Sequence, residues 1–284
     1  MGLGPFQSLR RGIASAQPLP RVPGFRDLYR EGVVPRRGQV IMVAGRSGTQ
    51  KSGFALFWVA QMGLPTLYFS ADMAPFTAGT RLASIATGRP SREVEALMGS
   101  VRGRASLEEA VKSLPIQLSF GSPITWDRVE DELNCWALLH NAYPQVVVFD
   151  NLMDFAGGES DYEAQMGVMQ DITSFARATG CTVIVLHHAS DKTMDAKNAP
   201  WRPPSRDQIK NGMAEKPELT LTIGLDPVNK EFHVACVKQR DGFCDPSAEH
   251  IVTLAVDPSR TWFGVAGTTP EVGAVSEIER KQEQ

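Results

Sequence analysis

Residues 45–52 restrict the possible folds of this chain more than any other segment. Their sequence is Gly-Arg-Ser-Gly-Thr-Gln-Lys-Ser, and they follow an apolar run at 40–44 and precede a helical pattern. This is the arrangement of a phosphate-binding loop, in which a buried strand leads through a glycine-containing turn into a helix that opens with Lys-Ser. Such a loop surrounds phosphates with backbone N–H groups and a lysine, and directs a hydroxyl toward Mg²⁺. The candidate nucleotide ligands are Gly45, Gly48, Thr49, Gln50, Lys51 and Ser52.

Gln50 departs from this pattern, because G-x-x-x-x-G-K-[ST] has a glycine at that position. Glycine allows the backbone to approach a phosphate closely, and Gly48 can supply part of the missing flexibility. The sequence therefore predicts a modified loop, in which Gln50 limits ATP turnover. An ordinary strand-turn-helix corner is the alternative interpretation.

The composition describes a globular protein with one large or two small domains. The chain has 284 residues, of which 42% are hydrophobic, enough for a substantial core. The formal net charge is −3 and the sequence pI is about 6.0. The whole surface therefore has no general attraction for phosphate, and any contact with nucleic acid has to come from local loops.

The cysteines and the apolar runs indicate the cellular compartment in which the protein is expected. The four cysteines show no C-x-x-C spacing, and two of them, Cys181 and Cys236, lie in apolar runs, so we expect buried, reduced thiols. No apolar stretch approaches the ~18 residues of a membrane span, and the start of the chain lacks a signal-peptide core. We expect a cytoplasmic protein with no membrane partner.

Alternating strand and helix signals predict an α/β fold with a mostly parallel central sheet, extended by antiparallel C-terminal strands. We expect an N-terminal arm or linker at 1–23, one core at 24–266 and a flexible tail at 267–284. The predicted parallel strands are 40–44, 66–71, 146–150 and 182–186. The predicted antiparallel strands are 219–223, 231–238, 250–256 and 261–265. The predicted helices are 52–62, 76–87, 107–113 (with Ser106 as its cap), 126–140 and 162–179.

Polar residues follow each predicted parallel strand. Because open α/β sheets bind ligands beyond the carboxyl ends of their strands, these residues are expected at one edge. Asp150 and Ser52 would hold a divalent cation, although Asp150 could instead cap a turn. Asp72 is a candidate general base, with a helix N-cap as its alternative role. His187 and His188 follow the fourth strand, where a γ-phosphate sensor or a structural histidine is equally expected.

The order of these motifs resembles the RecA-like motor domain of DnaB-type replicative helicases, over roughly residues 24–263. Six segments carry the resemblance besides the loop. Segment 24–28 (Gly-Phe-Arg-Asp-Leu) resembles the family's entry segment, and 256–258 (Val-Asp-Pro) resembles its closing strand. The other four are 70–73 (Ser-Ala-Asp-Met), 149–152 (Phe-Asp-Asn-Leu), 186–188 (Leu-His-His) and 238–242 (Lys-Gln-Arg-Asp-Gly). In the family these hold a catalytic glutamate, the Walker B aspartate, a sensor glutamine and a Lys-x-Arg finger. Asp72 and His188 replace the glutamate and the glutamine.

The resemblance implies a RecA-like P-loop NTPase that uses ATP with Mg²⁺ or Mn²⁺. It also implies a homo-oligomer, with a hexameric ring as one form, in which Lys238 and Arg240 reach the neighbouring subunit's triphosphate. Taken alone, this pair of cations is typical of a solvated strand end. The chain lacks room for the helicase amino-terminal domain, so we expect a stand-alone core. The implied partner is single-stranded or branched DNA, in replication or recombination.

The segment 191–212 is the expected DNA contact, since it combines cations that can follow a phosphate backbone with an aromatic that can stack on a base. A solvated connector is the alternative, because three acidic residues dilute the positive charge. The candidate DNA-binding residues are Lys197, Trp201, Arg202, Arg206 and Lys210.

Two other functions fit the sequence. A metal-dependent DNA nuclease would use the carboxylates and imidazoles predicted at the sheet edge: Asp72, Asp150, Asp154, His187, His188 and Asp191. The modified loop favours this nuclease alternative. A module that binds nucleotide or DNA without hydrolysis, and recruits partners, is the third possibility.

Overall fold

A nine-stranded sheet forms the centre of the computed structural model, which describes residues 17–157, 161–190 and 201–270. The strands are β1 (Val40–Gly45), β2 (Thr66–Ser70), β3 (Ile116–Phe120), β4 (Val146–Asp150), β5 (Thr182–His188), β6 (Leu219–Asp226), β7 (Glu231–Gln239), β8 (Val252–Asp257) and β9 (Trp262–Val265). Their order across the sheet is β3-β2-β4-β5-β1-β6-β7-β8-β9.

Helices cover both faces of this sheet. They are α1 (Arg26–Arg30), α2 (Lys51–Met62), α3 (Pro75–Thr87), α4 (Ser91–Met98), α5 (Val101–Lys112), α6 (Trp126–His140) and α7 (Tyr162–Thr179). The predicted helices 52–62, 76–87, 126–140 and 162–179 each agree with one of these to within a residue. Glycines in the left-handed region end α2, α3 and α7, because an L side chain is disfavoured there.

The sheet is parallel from β3 to β6 and antiparallel from β7 to β9, which confirms the predicted α/β class. The prediction that 219–223 is antiparallel to the central strands was wrong, because β6 pairs with β1 in parallel. The chain crosses the sheet through the segment 201–218 before β6, so it re-enters from the same end as β1. The tight turn at 227–230 then reverses the chain direction, so β7 is the first strand antiparallel to the central ones.

Each face of the sheet has its own core. On one face, aromatic side chains stack between α2 and the C-terminal strands, with the rings of Phe54 and Phe232 5.1 Å apart. On the other face, α6, α7 and the segment 209–214 cover the odd-numbered positions of β4, such as Val147 and Phe149. Both faces of the central strands are buried, and this explains why their sequences are continuous apolar runs.

The helices α1 and α4 were not predicted, and two further elements differ from the sequence prediction for identifiable reasons. The helix predicted to begin after Ser106 begins at Val101, because Ser100 accepts the cap hydrogen bond from the Gly103 N–H at 3.0 Å. The edge strand β3 was not predicted, since its sequence alternates Ile-Gln-Leu-Ser-Phe and most of its residues are partly exposed. Alternation on a short edge is a weaker signal than a buried apolar run.

The chain ends lie largely outside the described residues, which begin at 17 and end at 270. Leu19 and Val22 are buried in the core, and Pro18 forms a β-bridge with Arg36. The domain limits at 23 and 266 therefore stay a prediction. Within the described ranges, we found no helix long and apolar enough to cross a membrane.

Candidate nucleotide-binding site

The loop between β1 and α2 curls around the Lys51 ammonium. Nζ of Lys51 donates to the carbonyl oxygens of Gly45 at 3.0 Å and Arg46 at 2.9 Å, and only 9% of the residue is exposed. The Thr49 hydroxyl also donates to the Arg46 carbonyl, at 2.8 Å. A Cβ at Gly45 would lie 2.7 Å from Thr49 Oγ1, so the curl is too tight for a larger residue.

Gln50 has a left-handed backbone conformation, and this conformation explains why the loop pattern has a glycine at this position. Its φ is 63° and its ψ is 30°, in the left-handed region that L side chains rarely occupy. Gly48, at φ 76°, also takes a left-handed conformation, and a Cβ there would meet no atom within 4 Å. The loop therefore keeps its shape despite Gln50, whose strained backbone costs about 1–2 kcal/mol.

Asp150 ends β4 as a buried carboxylate beside the loop, only 2% exposed. Burial raises its pKa, while hydrogen bonds from the Ser52 and Tyr68 hydroxyls lower it and favour the charged form. The Tyr68 hydroxyl donates to Oδ2 at 2.8 Å, and Tyr68 itself is fully buried in β2. Three elements thus fix one carboxylate at the carboxyl edge of the sheet.

Asp72 lies directly after β2 and is exposed. The Asn151 amide donates to its Oδ2 at 3.0 Å, and Asn151 follows Asp150 in the chain. The predicted N-cap role of Asp72 does not occur, because Ala74 is the cap residue of α3 and that helix begins with Pro75. The carboxylates of Asp72 and Asp150 therefore lie on adjacent strand ends, joined through Asn151.

The two histidines of β5 differ in their surroundings. His187 is fully buried, its Nε2 lies 3.0 Å from the Lys210 carbonyl oxygen, and its pKa is lowered to about 4, chiefly by burial. His188 is partly exposed and is the register partner of Gly45 in the β1–β5 pair. His188 consequently lies level with the first residue of the loop, whereas His187 has a structural position.

The predicted finger residues lie at the opposite end of the sheet. Ile223 of β6 lies beside Gly45 at the start of the loop, whereas Leu219, at the other end of β6, lies beside Gln239 of β7. The stretch of β6 between these two positions spans about 13 Å. Lys238 donates to the Glu215 carbonyl, and its pKa is lowered to about 8 by burial and by the nearby charges of Arg206 and Arg240.

Arg240 is exposed and pairs with Glu218 at 3.8 Å. Neither Arg240 nor Lys238 can therefore contact the loop of the same chain.

The predicted DNA-binding residues occupy several surroundings. Lys197 lies outside the described residues. Trp201 is 40% exposed and its ring packs 5.5 Å from that of His233. The carbonyl oxygen of Arg202 accepts a hydrogen bond from Arg46. Lys210 is exposed. Arg206 lies near Lys238 rather than at the loop edge.

Tyr68 and the Arg46 side chain were missed by the sequence analysis. Tyr68 is inside an apolar run, and nothing in the surrounding sequence indicates a partner for its hydroxyl. The buried Arg46 guanidinium occupies a variable position of the loop pattern. Among the described residues, no group of three His, Cys, Asp or Glu side chains is placed to hold a metal ion, and Asp191 lies outside them. Within the described part of the chain, the metal-ligand cluster that the nuclease alternative requires is therefore not found.

The described residues fit a magnesium nucleotide. Ser52 and Asp150 offer a hydroxyl and a carboxylate oxygen, the hard ligands that Mg²⁺ prefers. Lys51 and the N-terminus of α2 offer positive charge and N–H groups beside them, as phosphates require.

The model of the AAA domain family matches residues 21–194 of this chain. That match includes the loop, β2 with Asp72, β4 with Asp150, and β5 with both histidines. The chain therefore belongs to the AAA domain family.

Two phage proteins are similar along most of the chain. The Gene 65 protein of Mycobacterium phage L5 is 29% identical over 259 residues, which is 88% of this chain and 94% of that protein. The Gene 65 protein of Mycobacterium phage D29 is 29% identical over 228 residues, 76% of this chain and 94% of its own length.

Solved structures confirm the RecA-like, DnaB-type fold. One of them, a structure of an ATPase domain, superposes with a TM-score of 0.73 and 14% identity, covering 92% of this chain and 95% of that domain. A DnaB-like replicative helicase, studied with its primase interactions, superposes with a TM-score of 0.72 and 17% identity. That comparison covers 91% of this chain and 65% of the helicase.

Proposed function

We propose that this protein is an oligomeric, DNA-dependent ATPase that acts as a helicase-like motor on single-stranded or branched DNA in replication or recombination. One observation carries the proposal: Lys51 and Ser52 of the loop meet Asp150 of a different strand, so phosphate and cation ligands lie side by side. The family and the fold support this interpretation.

The residues around the phosphates have separate roles. Lys51 would neutralise the β- and γ-phosphates, and Ser52 with Asp150 would hold Mg²⁺, which would supply charge stabilisation. Asp72 accepts the proton of the attacking water. The Asn151 amide fixes one of its oxygens, so the other oxygen can take that proton in a constant orientation. His188, level with Gly45, contacts the γ-phosphate side of the site.

A neighbouring subunit completes the site. Arg240 is exposed on the sheet end away from its own loop, as a finger that acts between subunits must be. The lowered pKa of Lys238 reflects burial and mutual repulsion with Arg206 and Arg240, and an incoming triphosphate relieves this repulsion. Such a finger raises turnover by about 10³-fold or more.

An assay that follows ATP and DNA together tests the proposal. Purified protein is incubated with Mg²⁺ and labelled single- or double-stranded DNA, with and without ATP, while phosphate release and DNA length are recorded. We expect phosphate release that DNA stimulates, intact DNA strands, and loss of release in Lys51→Ala. DNA shortening without ATP would replace the motor with a nuclease, and DNA binding without phosphate release would leave a non-hydrolysing module.

A further inference from the structure

The Arg46 side chain joins the phosphate-binding loop to the segment 202–208. Arg46 is only 6% exposed. Its Nη1 donates to the Arg202 carbonyl oxygen at 2.9 Å, and its Nη2 donates to Gln208 Oε1 at 3.4 Å. A buried guanidinium with fixed acceptors resists rearrangement, since losing an acceptor leaves a charged donor unsatisfied. The position of the segment is thereby tied to that of the loop.

The main chain of Arg46 contacts the residue that binds phosphate. Its carbonyl oxygen accepts from Lys51 Nζ at 2.9 Å and from Thr49 Oγ1 at 2.8 Å. A triphosphate competes for the Lys51 protons, because charge-assisted bonds to phosphate are stronger than bonds to a neutral carbonyl. Nucleotide binding therefore changes the hydrogen bonding at Arg46, whose side chain holds the segment.

The segment 202–208 has further attachments close to the same sheet edge. The Gln208 carbonyl accepts from the Ser190 N–H at 2.8 Å, and Gln208 Oε1 also accepts from the Ser205 N–H at 3.1 Å. Trp201, half-exposed, immediately precedes it. Any shift of the segment is therefore passed to the indole that we expect to stack on DNA.

We propose that Arg46 is a positioning residue that couples nucleotide at the loop to the segment 202–208, and hence to DNA affinity. This inference rests on the proposed function, because it assigns the connection between the two ligands of the motor. The coupling is reciprocal, so that DNA changes nucleotide affinity by the same factor by which nucleotide changes DNA affinity.

The test measures a coupling factor. We define it as the dissociation constant for DNA without nucleotide, divided by the constant with a non-hydrolysable ATP analogue and Mg²⁺. Fluorescence anisotropy of labelled single-stranded DNA provides both constants in wild type, Arg46→Met, Gln208→Leu and Gln208→Glu. We expect a factor of about ten or more in wild type. Both Arg46→Met and Gln208→Leu should lower it below about twofold, while Gln208→Glu should keep it, since a carboxylate still accepts from the guanidinium.

Nucleotide affinity and DNA-free ATP turnover of Gln208→Leu should equal those of wild type, because Gln208 contacts neither ligand. A merely structural role would lower these values as well. A second measurement needs no DNA: the change in tryptophan fluorescence on adding the analogue, taken as the difference between each protein and its Trp201→Phe form. That difference should disappear in Gln208→Leu and persist in Gln208→Glu.

The outcomes separate this inference from the function on which it rests. If wild type hydrolyses ATP and binds DNA, but the variants keep its coupling factor or wild type has a factor of one, the role of Arg46 is wrong and the motor stands. If wild type neither hydrolyses ATP nor binds DNA, the proposed function fails and the inference fails with it.

Discussion

At the scale of single residues, the hydroxyl groups around Asp150 have the clearest energetic effect. Tyr68 is buried and donates to Asp150 at 2.8 Å, and Ser52 donates from the loop. Hydrogen bonds to a charged group contribute about 1.5–3 kcal/mol each, and here they oppose the burial that raises the pKa of Asp150. The Tyr68 hydroxyl therefore both stabilises the sheet edge and prepares the cation ligand.

We predict that Tyr68→Phe lowers the free energy of unfolding by about 1.5–3 kcal/mol, because it leaves a buried carboxylate with one donor fewer. The pKa of Asp150 should rise, and Mg²⁺-nucleotide affinity should fall. Urea denaturation and calorimetric titration measure the two effects. Tyr143→Phe, at an exposed tyrosine, is the matched control and should change neither. Equal stability of the two variants would show that the Asp150 bond contributes nothing.

Gln50→Gly should increase ATP turnover, since glycine takes the observed φ of 63° without strain and allows closer backbone approach to the phosphates. Steady-state phosphate release measures the change. Asn141→Gly relieves another left-handed residue, at the end of α6 and away from the loop, and should leave turnover unchanged. A folded Gln50→Gly variant with wild-type turnover would mean that the loop already compensates for glutamine.

His187 should make stability depend on pH. Its pKa is lowered to about 4 from an ordinary 6.5, so the unfolded chain binds the extra proton between these values. The resulting stability is complete above pH 6.5 and is lost as pH falls toward 4. Between pH 7 and pH 4.5, wild type should lose about 2–3 kcal/mol that His187→Gln does not lose.

Urea denaturation of both proteins at the two pH values provides the comparison, with His140→Gln, at an exposed histidine, as the control. Parallel pH profiles for wild type and His187→Gln would contradict the burial of a neutral imidazole.

At the scale of elements, sequence reasoning worked where one physical pattern decided the outcome. The buried central strands are continuous apolar runs, and the polar residues after them predicted that Lys51, Asp72 and Asp150 lie at one edge of the sheet, as the structure has them. The parallel direction of β6 was not predictable, because a strand's direction depends on the crossover before it and not on its own residues. The role of Tyr68 was not predictable for a related reason, because its hydroxyl donates to Asp150, which belongs to another strand.

The segment 201–210 should provide two different kinds of DNA contact. Trp201→Ala should weaken single-stranded DNA binding by about 1–3 kcal/mol, with little change in salt dependence, because stacking is not ionic. Arg206→Ala should instead lower the slope of log affinity against log salt by about 0.7, as expected for one phosphate contact. Fluorescence anisotropy across a salt series measures both.

Arg206 also lies close enough to Lys238 to lower its pKa. An unchanged salt slope with reduced ATP turnover would therefore move Arg206 from the DNA contact to the finger between subunits. Wild-type affinity in both variants would leave the segment as a solvated connector.

At the scale of the whole molecule, the sheet places its two sets of functional cations at opposite ends. Lys51 lies beyond the carboxyl end of β1. Arg240 lies beyond the carboxyl end of the antiparallel strand β7, which is level with the amino ends of β1 and β6. Under the proposed function, one subunit holds half of two sites, and a complete site requires a neighbour in the same orientation. Repetition of this proposed contact would produce a ring or a filament.

That a neighbouring subunit completes the site is tested most directly by mixing two inactive variants. Arg240→Ala keeps the loop and should bind nucleotide nearly normally while hydrolysing it slowly; Lys51→Ala keeps the finger. We predict that an equimolar mixture, with DNA and Mg²⁺-ATP, releases phosphate faster than either variant alone, because some interfaces combine an intact loop with an intact finger. A mixture no faster than the two separate rates, or a monomer in light scattering with nucleotide and DNA present, would contradict the shared site.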